Sequence, residues 1–166
     1  MSPHVDRNGQ IVSTQSAAAA AHYDQGVERL VGSSPDAIES FRAAVSEDEL
    51  FGVALAALAW STSAFGGDNG DGMRALERCL GRSVTMTRRE RQHVEVVAMA
   101  VRGDVERARA LGSDHLREFP GDAVVACVIG REREPRGSQP GVASPSATRR
   151  ATTEPASSRP DRSAAS

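Results

Sequence analysis

The sequence has no lysine: all 20 of its basic residues are arginine. Arginine and lysine both serve as surface cations, so physics does not require this. Codon bias in a GC-rich genome accounts for it together with the abundant alanine and glycine. Aromatic residues are also scarce, at 4%. A core must therefore be built from Ala, Val and Leu, which suits closely packed helices better than a sheet rich in β-branched and aromatic side chains. There are two cysteines, Cys79 and Cys127, and no CxxC pair. That leaves neither a disulfide framework nor a thiolate zinc site to read from spacing. Both lie among apolar neighbours in helical stretches and read as small buried hydrophobes, with nothing pointing to an oxidising compartment. Long apolar runs are missing as well. The longest apolar-rich stretch, "FGVALAALAW" at 51–60, is too short to span a bilayer. The opening "MSPHVDRNGQIVST" has no apolar signal-peptide core. Together these absences predict a cytoplasmic protein.

Charge is divided unevenly. Residues 1–130 hold 18 acids and 13 arginines, a balance of −5, whereas residues 131–166 hold 4 acids and 7 arginines, a balance of +3. The larger part is no electrostatic match for nucleic acid. Composition changes at the same place. Residues 131–166 carry five of the eight prolines and almost no large apolar side chains. Such a segment buries too little surface to offset its ordering entropy, which predicts a disordered Pro/Ser/Arg-rich tail. Within it "RRAT" at 149–152 offers Thr152 to a basophilic kinase, a short pattern that also arises by chance. Residues 1–14 are expected to be a flexible N-terminus, and 15–130 the folded domain.

Within 15–130 the apolar residues recur at helical spacing, with punctuation between the runs. Ala20, Tyr23, Val27, Leu30 and Val31 form one stripe, ended by Gly32 and Ser33. Ser34 and Pro35 are an N-cap and first-turn signal for a helix carrying Ala37, Ile38, Phe41, Ala44 and Val45. Ser46 and Glu49 have capping-box spacing ahead of "LFGVALAALAWSTSAF", which is apolar on most sides and therefore buried. The loop "GGDNGDG" at 66–72 precedes a short helix with Met73, Leu76 and Leu80. Thr87 and Glu90 form a second capping box ahead of Val94, Val97, Ala98 and Val101. After Gly103 and Asp104 comes a stripe of Val105, Ala108, Leu111, His115, Leu116 and Phe119. Pro120 and Gly121 turn the chain, Asp122 caps again, and "AVVACVI" starts the last helix. The prediction is an all-α fold of roughly seven antiparallel helices with short connections and no strand.

Some spacings match a known repeat. The second helix of a tetratricopeptide repeat has Ala, a Phe-type residue four on, another Ala three further, and Pro five beyond. Ala37, Phe41 and Ala44 fit, with Glu49 near the place of the proline. Ala108 and Pro120 fit, with Gly112 and His115 as departures, and the middle unit keeps only Ala75. Gly26, between Tyr23 and Leu30, suits the small residue at the helix crossing. Over residues 5–129, "AAAAAHYDQGVERLVGSSPDAIESFRAAV" and "TRRERQHVEVVAMAVRGDVERARALGSDHLREFPGDA" resemble the N-terminal part of bacterial tetratricopeptide-repeat-protein-38-like proteins. Those chains continue with further helices after the "FPGDA" turn, where this one changes composition. The resemblance therefore implies a truncated or frame-shifted chain, or a divergent short paralogue. For the fold it implies a tetratricopeptide-like α-solenoid.

Motifs for chemistry are scarce. The histidines are His4, His22, His93 and His115, and none belongs to HExxH or to a cluster with ligand spacing. "GGDNGDG" fails as a calcium loop: counting from Asp68, the third and fifth positions are Gly70 and Gly72, and the twelfth is Cys79. There is no P-loop, GxSxG or helix-opening GxGxxG. The sequence thus predicts a non-catalytic protein, with no cofactor and no metal, that binds a protein or peptide of unknown identity as a scaffold. Aligning Ala108 with the repeat puts Arg89, Glu90, His93 and Val97 on an inner groove face. Trp60 falls either on that face or in the core. The alternative is a repeat fragment without binding activity of its own. Its last helix, with Val124, Val125, Val128 and Ile129 on several sides, would then be exposed and drive homo-oligomerisation through residues 122–130.

Overall fold

The computed structural model describes residues 4–66, 69–81 and 86–131. Arg131, expected to begin the tail, instead ends a helix, and the rest of the proposed tail, with Thr152, lies outside the described residues. Among the described residues seven helices follow one another: α1 (Ala17–Val31), α2 (Ala37–Glu47), α3 (Gly52–Phe65), α4 (Asn69–Leu80), α5 (Arg88–Val101), α6 (Val105–Glu118) and α7 (Ala123–Arg131). They pack in chain order, α1 on α2, α3 on α4 and α5 on α6, and α3 also lies against α5.

The helix boundaries follow local chemistry, with some departures from the sequence signals. Ser16 caps α1 by accepting from Ala19 N, and Gly32 ends it ahead of Ser33, which has a φ of 56°. The buried stripe of α1 is Ala19, Tyr23, Gly26, Val27 and Leu30; the expected Val31 points to solvent. Ser34 and Pro35 form a turn before α2 rather than its first residues, since Ala37 N and Ile38 N still reach back three residues to Ser34 O and Pro35 O. The expected Ser46–Glu49 box does not form. Ser46 is inside α2, its hydroxyl on Arg42 O, and α3 starts at Gly52 without a side-chain cap. The Thr87–Glu90 box does form. The 66–72 loop is shorter than its sequence suggests, because α4 already begins at Asn69.

Small residues set the helix spacing. A Cβ on Gly26 would lie 2.5 Å from Phe41 Cε1, so α1 and α2 meet with Phe41 across a bare backbone. A Cβ on Gly112 would lie 2.5 Å from Ile129 Cγ2, which explains the glycine at a position where the repeat expects a large residue. Around these crossings every residue of α3 from Gly52 to Thr62 is buried.

Two expectations are corrected. Residues 4–12 are not a loose terminus but an antiparallel hairpin of β1 (His4–Val5) and β2 (Ile11–Val12), with His4 opposite Val12 and Val5 opposite Ile11. Asp6 Oδ1 accepts from Asn8 N and Gln10 N at 2.9 and 2.7 Å, and Gly9, at φ 77°, completes the turn. The last helix is not an apolar end in water. It packs on α6, α1 and α5, which buries Val124, Val125 and Val128 and half-covers Ile129. The physical reason for self-association through 122–130 is thereby removed. Among the described residues no helix is long and apolar enough to cross a membrane.

Candidate functional site

The densest polar chemistry lies where α5, α6 and the start of α7 meet. Pro120 and Gly121 turn the chain so that Asp122 opens α7, where its carboxylate caps the helix by accepting from Val125 N at 3.3 Å. The same carboxylate also accepts from three side chains. Arg89 Nη1 is 2.8 Å from Oδ2, His93 Nδ1 is 2.9 Å from it, and His115 Nε2 is 3.1 Å from it. These residues come from helices separated in sequence, and Asp122, Arg89, His93 and His115 are all buried. His115 Nδ1 is 3.1 Å from Gln92 Oε1.

Burial on its own would raise the Asp122 carboxyl. The neighbouring His93, the hydrogen bonds from both histidines and the Arg89 guanidinium outweigh it and hold Asp122 far below the usual carboxylate range. Tyr23, buried beside this cluster, is pushed the other way: loss of water raises its phenol well above its ordinary value, and the Asp122 charge adds to that.

A second network continues from Arg89 to the N-terminal hairpin. Arg89 Nη2 donates to Ile11 O at 3.1 Å. Glu90 accepts from Thr87 N at 2.9 Å to close the capping box, and its carboxylate also takes Ser13 N at 2.8 Å and the Ser13 hydroxyl. Thr14 Oγ1 donates to Asp48 Oδ2 at 2.6 Å. Residues 11–13 thus meet the start of α5 and Thr14 the end of α2, held through both backbone and hydroxyl groups, with Val12 buried between them.

The sequence-predicted site residues fall into three places. Arg89 and His93 meet at Asp122, with Glu90 alongside, all facing the chain's own interior. Val97 is completely buried in the apolar core. Trp60, 4% exposed, lies at the far end of α3 under Arg131, whose guanidinium is 6.0 Å from the indole ring and donates to Ala64 O at 2.8 Å. An open groove lined by all five is corrected. Long-range partners cover the α5 side chains, and Trp60 belongs to the apolar core. His115 and Asp122 are the site residues that the spacing argument missed. His115 occupied an apolar stripe and Asp122 looked like a cap alone. The useful signal was the pair itself: a histidine on the buried face of α6, seven residues before a capping acid across a Pro-Gly turn.

Chemically, Asp122 orients His93 through Nδ1, and His93 Nε2 has no hydrogen-bond partner. That is half of a general-base arrangement. His93 is entirely shielded from solvent, however, and no hydroxyl or thiol among the described residues donates to that nitrogen. The cluster's evident work is to fasten α5, α6 and α7 together. Among the described residues no group of three or more His, Cys, Asp or Glu could hold a metal ion. No protein-family model, curated protein or solved structure matches this chain.

Proposed function

We propose that this chain is a non-catalytic, tetratricopeptide-like helical module that binds a protein or peptide segment. One observation carries the reading: successive helices pair in chain order, with a glycine at three of the helix crossings. Gly26 meets Phe41, Gly72 meets the Ala59 backbone, and Gly112 meets Ile129. Repetition of one packing device builds an array whose product is a surface rather than a reaction centre. The burial of every histidine–acid contact supports the non-catalytic part, since a general base must reach its substrate. Selection of a random peptide display library on the full chain tests this. Enrichment of a consensus whose synthetic peptide binds with one-to-one stoichiometry is the expected result. No enrichment over repeated selections would overturn it.

A further inference from the structure

We propose that residues 11–14 occupy, in cis, a peptide slot on α5, and that the slot's partner in trans is an extended segment with an apolar residue followed by Ser and Thr. This rests on the binding-module reading above and names the site and ligand class. Arg89 and Glu90 hold an extended chain by its main-chain groups: Arg89 takes the Ile11 carbonyl, and Glu90 takes the Ser13 N–H. Groups that grip a backbone accept any strand of the right shape. Selectivity comes from three further features. The Val12 side chain is 1% exposed. The Ser13 hydroxyl is on Glu90 and the Thr14 hydroxyl is on Asp48.

The occupant is fastened lightly on its other side. Val5 and Ile11, paired across the hairpin, are 55% and 52% exposed, so the hairpin leaves an apolar pair in water. On that side Arg7 reaches Asp24 and Glu28 through exposed contacts, which contribute little, and Asn8 and Gln10 lie against the Gly121 turn. A two-stranded hairpin is itself marginal in water. The slot proper is different: Arg89 and Glu90 are also held by Asp122 and Thr87, groups that do not belong to the strand. A preformed slot under a weakly held strand lowers the apparent affinity for an outside peptide by the fraction of molecules with the slot open.

The test uses the full chain and a fluorescent synthetic peptide of residues 9–15, followed by anisotropy. A Val12→Asp/Ser13→Glu variant places carboxylates in the pocket and opposite Glu90, so its own strand leaves. The peptide should bind this variant about tenfold or more tightly than it binds the unaltered chain, because the open fraction rises. Asp48→Asn in the opened background, or a peptide carrying Ser13→Ala and Thr14→Ala, should weaken binding several-fold. Should the double variant unfold by circular dichroism, Ser13→Glu alone takes its place with the same readout. Equal affinity for the closed and opened chains, or indifference to loss of the hydroxyls, would overturn the slot. Display-selected peptides that bind the unaltered chain and are unaffected by Ser13→Glu would sink the slot yet leave the binding module standing. Failure of both chains to bind any peptide would remove both.

Discussion

Helices α3 and α5 both bury most of their residues, and they do so by different means. The sequence of α3 is apolar all round, so burial needs only neighbours, and α2, α4 and α5 supply them. The sequence of α5 begins "RRERQH", as polar as any surface helix, yet Arg89, Glu90 and His93 are 6%, 1% and 0% exposed. Each is buried because a group distant in the chain meets it: Asp122 for Arg89 and His93, Ser13 for Glu90. Apolar burial is a property of composition, whereas polar burial is a property of partnership. The first tolerates exchanges that keep volume, and the second depends on the charge and donors of single groups.

Removing the shared partner should have the largest effect. Asp122→Ala leaves Arg89, His93 and His115 facing one another without a carboxylate, and also uncaps α7. Deleting one member of a buried charge cluster costs about 3–5 kcal/mol. Urea unfolding should therefore show a chain near the limit of stability. A loss under about 1 kcal/mol would mean that the cluster is hydrated and the α5 description wrong.

This asymmetry explains what the sequence reveals. All seven helices were legible, because apolar periodicity and turn residues are local. So was the Thr87–Glu90 box, whose partners are three residues apart. The hairpin was missed because two-residue strands carry no alternation, although Asn8-Gly9 between His4-Val5 and Ile11-Val12 is a known turn pair. The expectation that Arg89, Glu90 and His93 face a groove failed because helical spacing fixes which residues share a face, not what covers that face. The covering pieces, residues 11–14 and Asp122, come from opposite ends of the described chain. The same limit made α7 look exposed, since its contacts with α1 cannot be read from neighbouring residues.

The apolar half of the comparison predicts a loss of a different kind. Leu55→Ala in α3 removes a completely buried side chain and should cost about 2–5 kcal/mol, set by how far the neighbours collapse into the gap. Leu55→Met, of similar volume, should cost less than about 1.5 kcal/mol. No isosteric rescue exists at Asp122, where Asn keeps the shape and loses the charge. If Asp122→Asn proved as mild as Leu55→Met, the distinction between the two helices would not hold.

Acid sharpens the contrast further. The folded-state Asp122 is held far below its ordinary value of 3.8. Its contribution is therefore present above that value and is lost progressively as the pH falls below it. Burial raises Asp6, against the pull of the Gln10 and Asn8 amides, so Asp6 acts in the opposite sense and offsets part of the loss. Urea midpoints at pH 7 and pH 3 should fall steeply for the unaltered chain and for Leu55→Met. The fall should be shallower for Asp122→Asn, which has no carboxylate left to protonate. Equal slopes in all three would place the acid sensitivity elsewhere.

The smallest effect separates two glycines that α3 and α4 place in similar crowding. A Cβ on Gly72 would collide with Thr62 Oγ1 and lie 3.1 and 3.2 Å from Ala59 O and Cα. Two of those atoms are backbone, and the hydroxyl is already committed to Leu58 O and Ala59 O. Nothing there can move without shifting α4 off α3, so Gly72→Ala should cost about 1–3 kcal/mol. A Cβ on Gly52 would collide instead with the terminal methyl of Met86, the free end of an unbranched thioether that can turn aside. Alanine is also the better helix former by roughly 0.5–1 kcal/mol. The two terms oppose each other at Gly52, and Gly52→Ala should leave stability within about 0.5 kcal/mol of the unaltered chain. Chemical unfolding of both variants, read side by side, checks the difference. If Gly52→Ala were the more damaging, Met86 would be fixed in place, and the α3 surface would be as intolerant of single-atom changes as the polar face of α5.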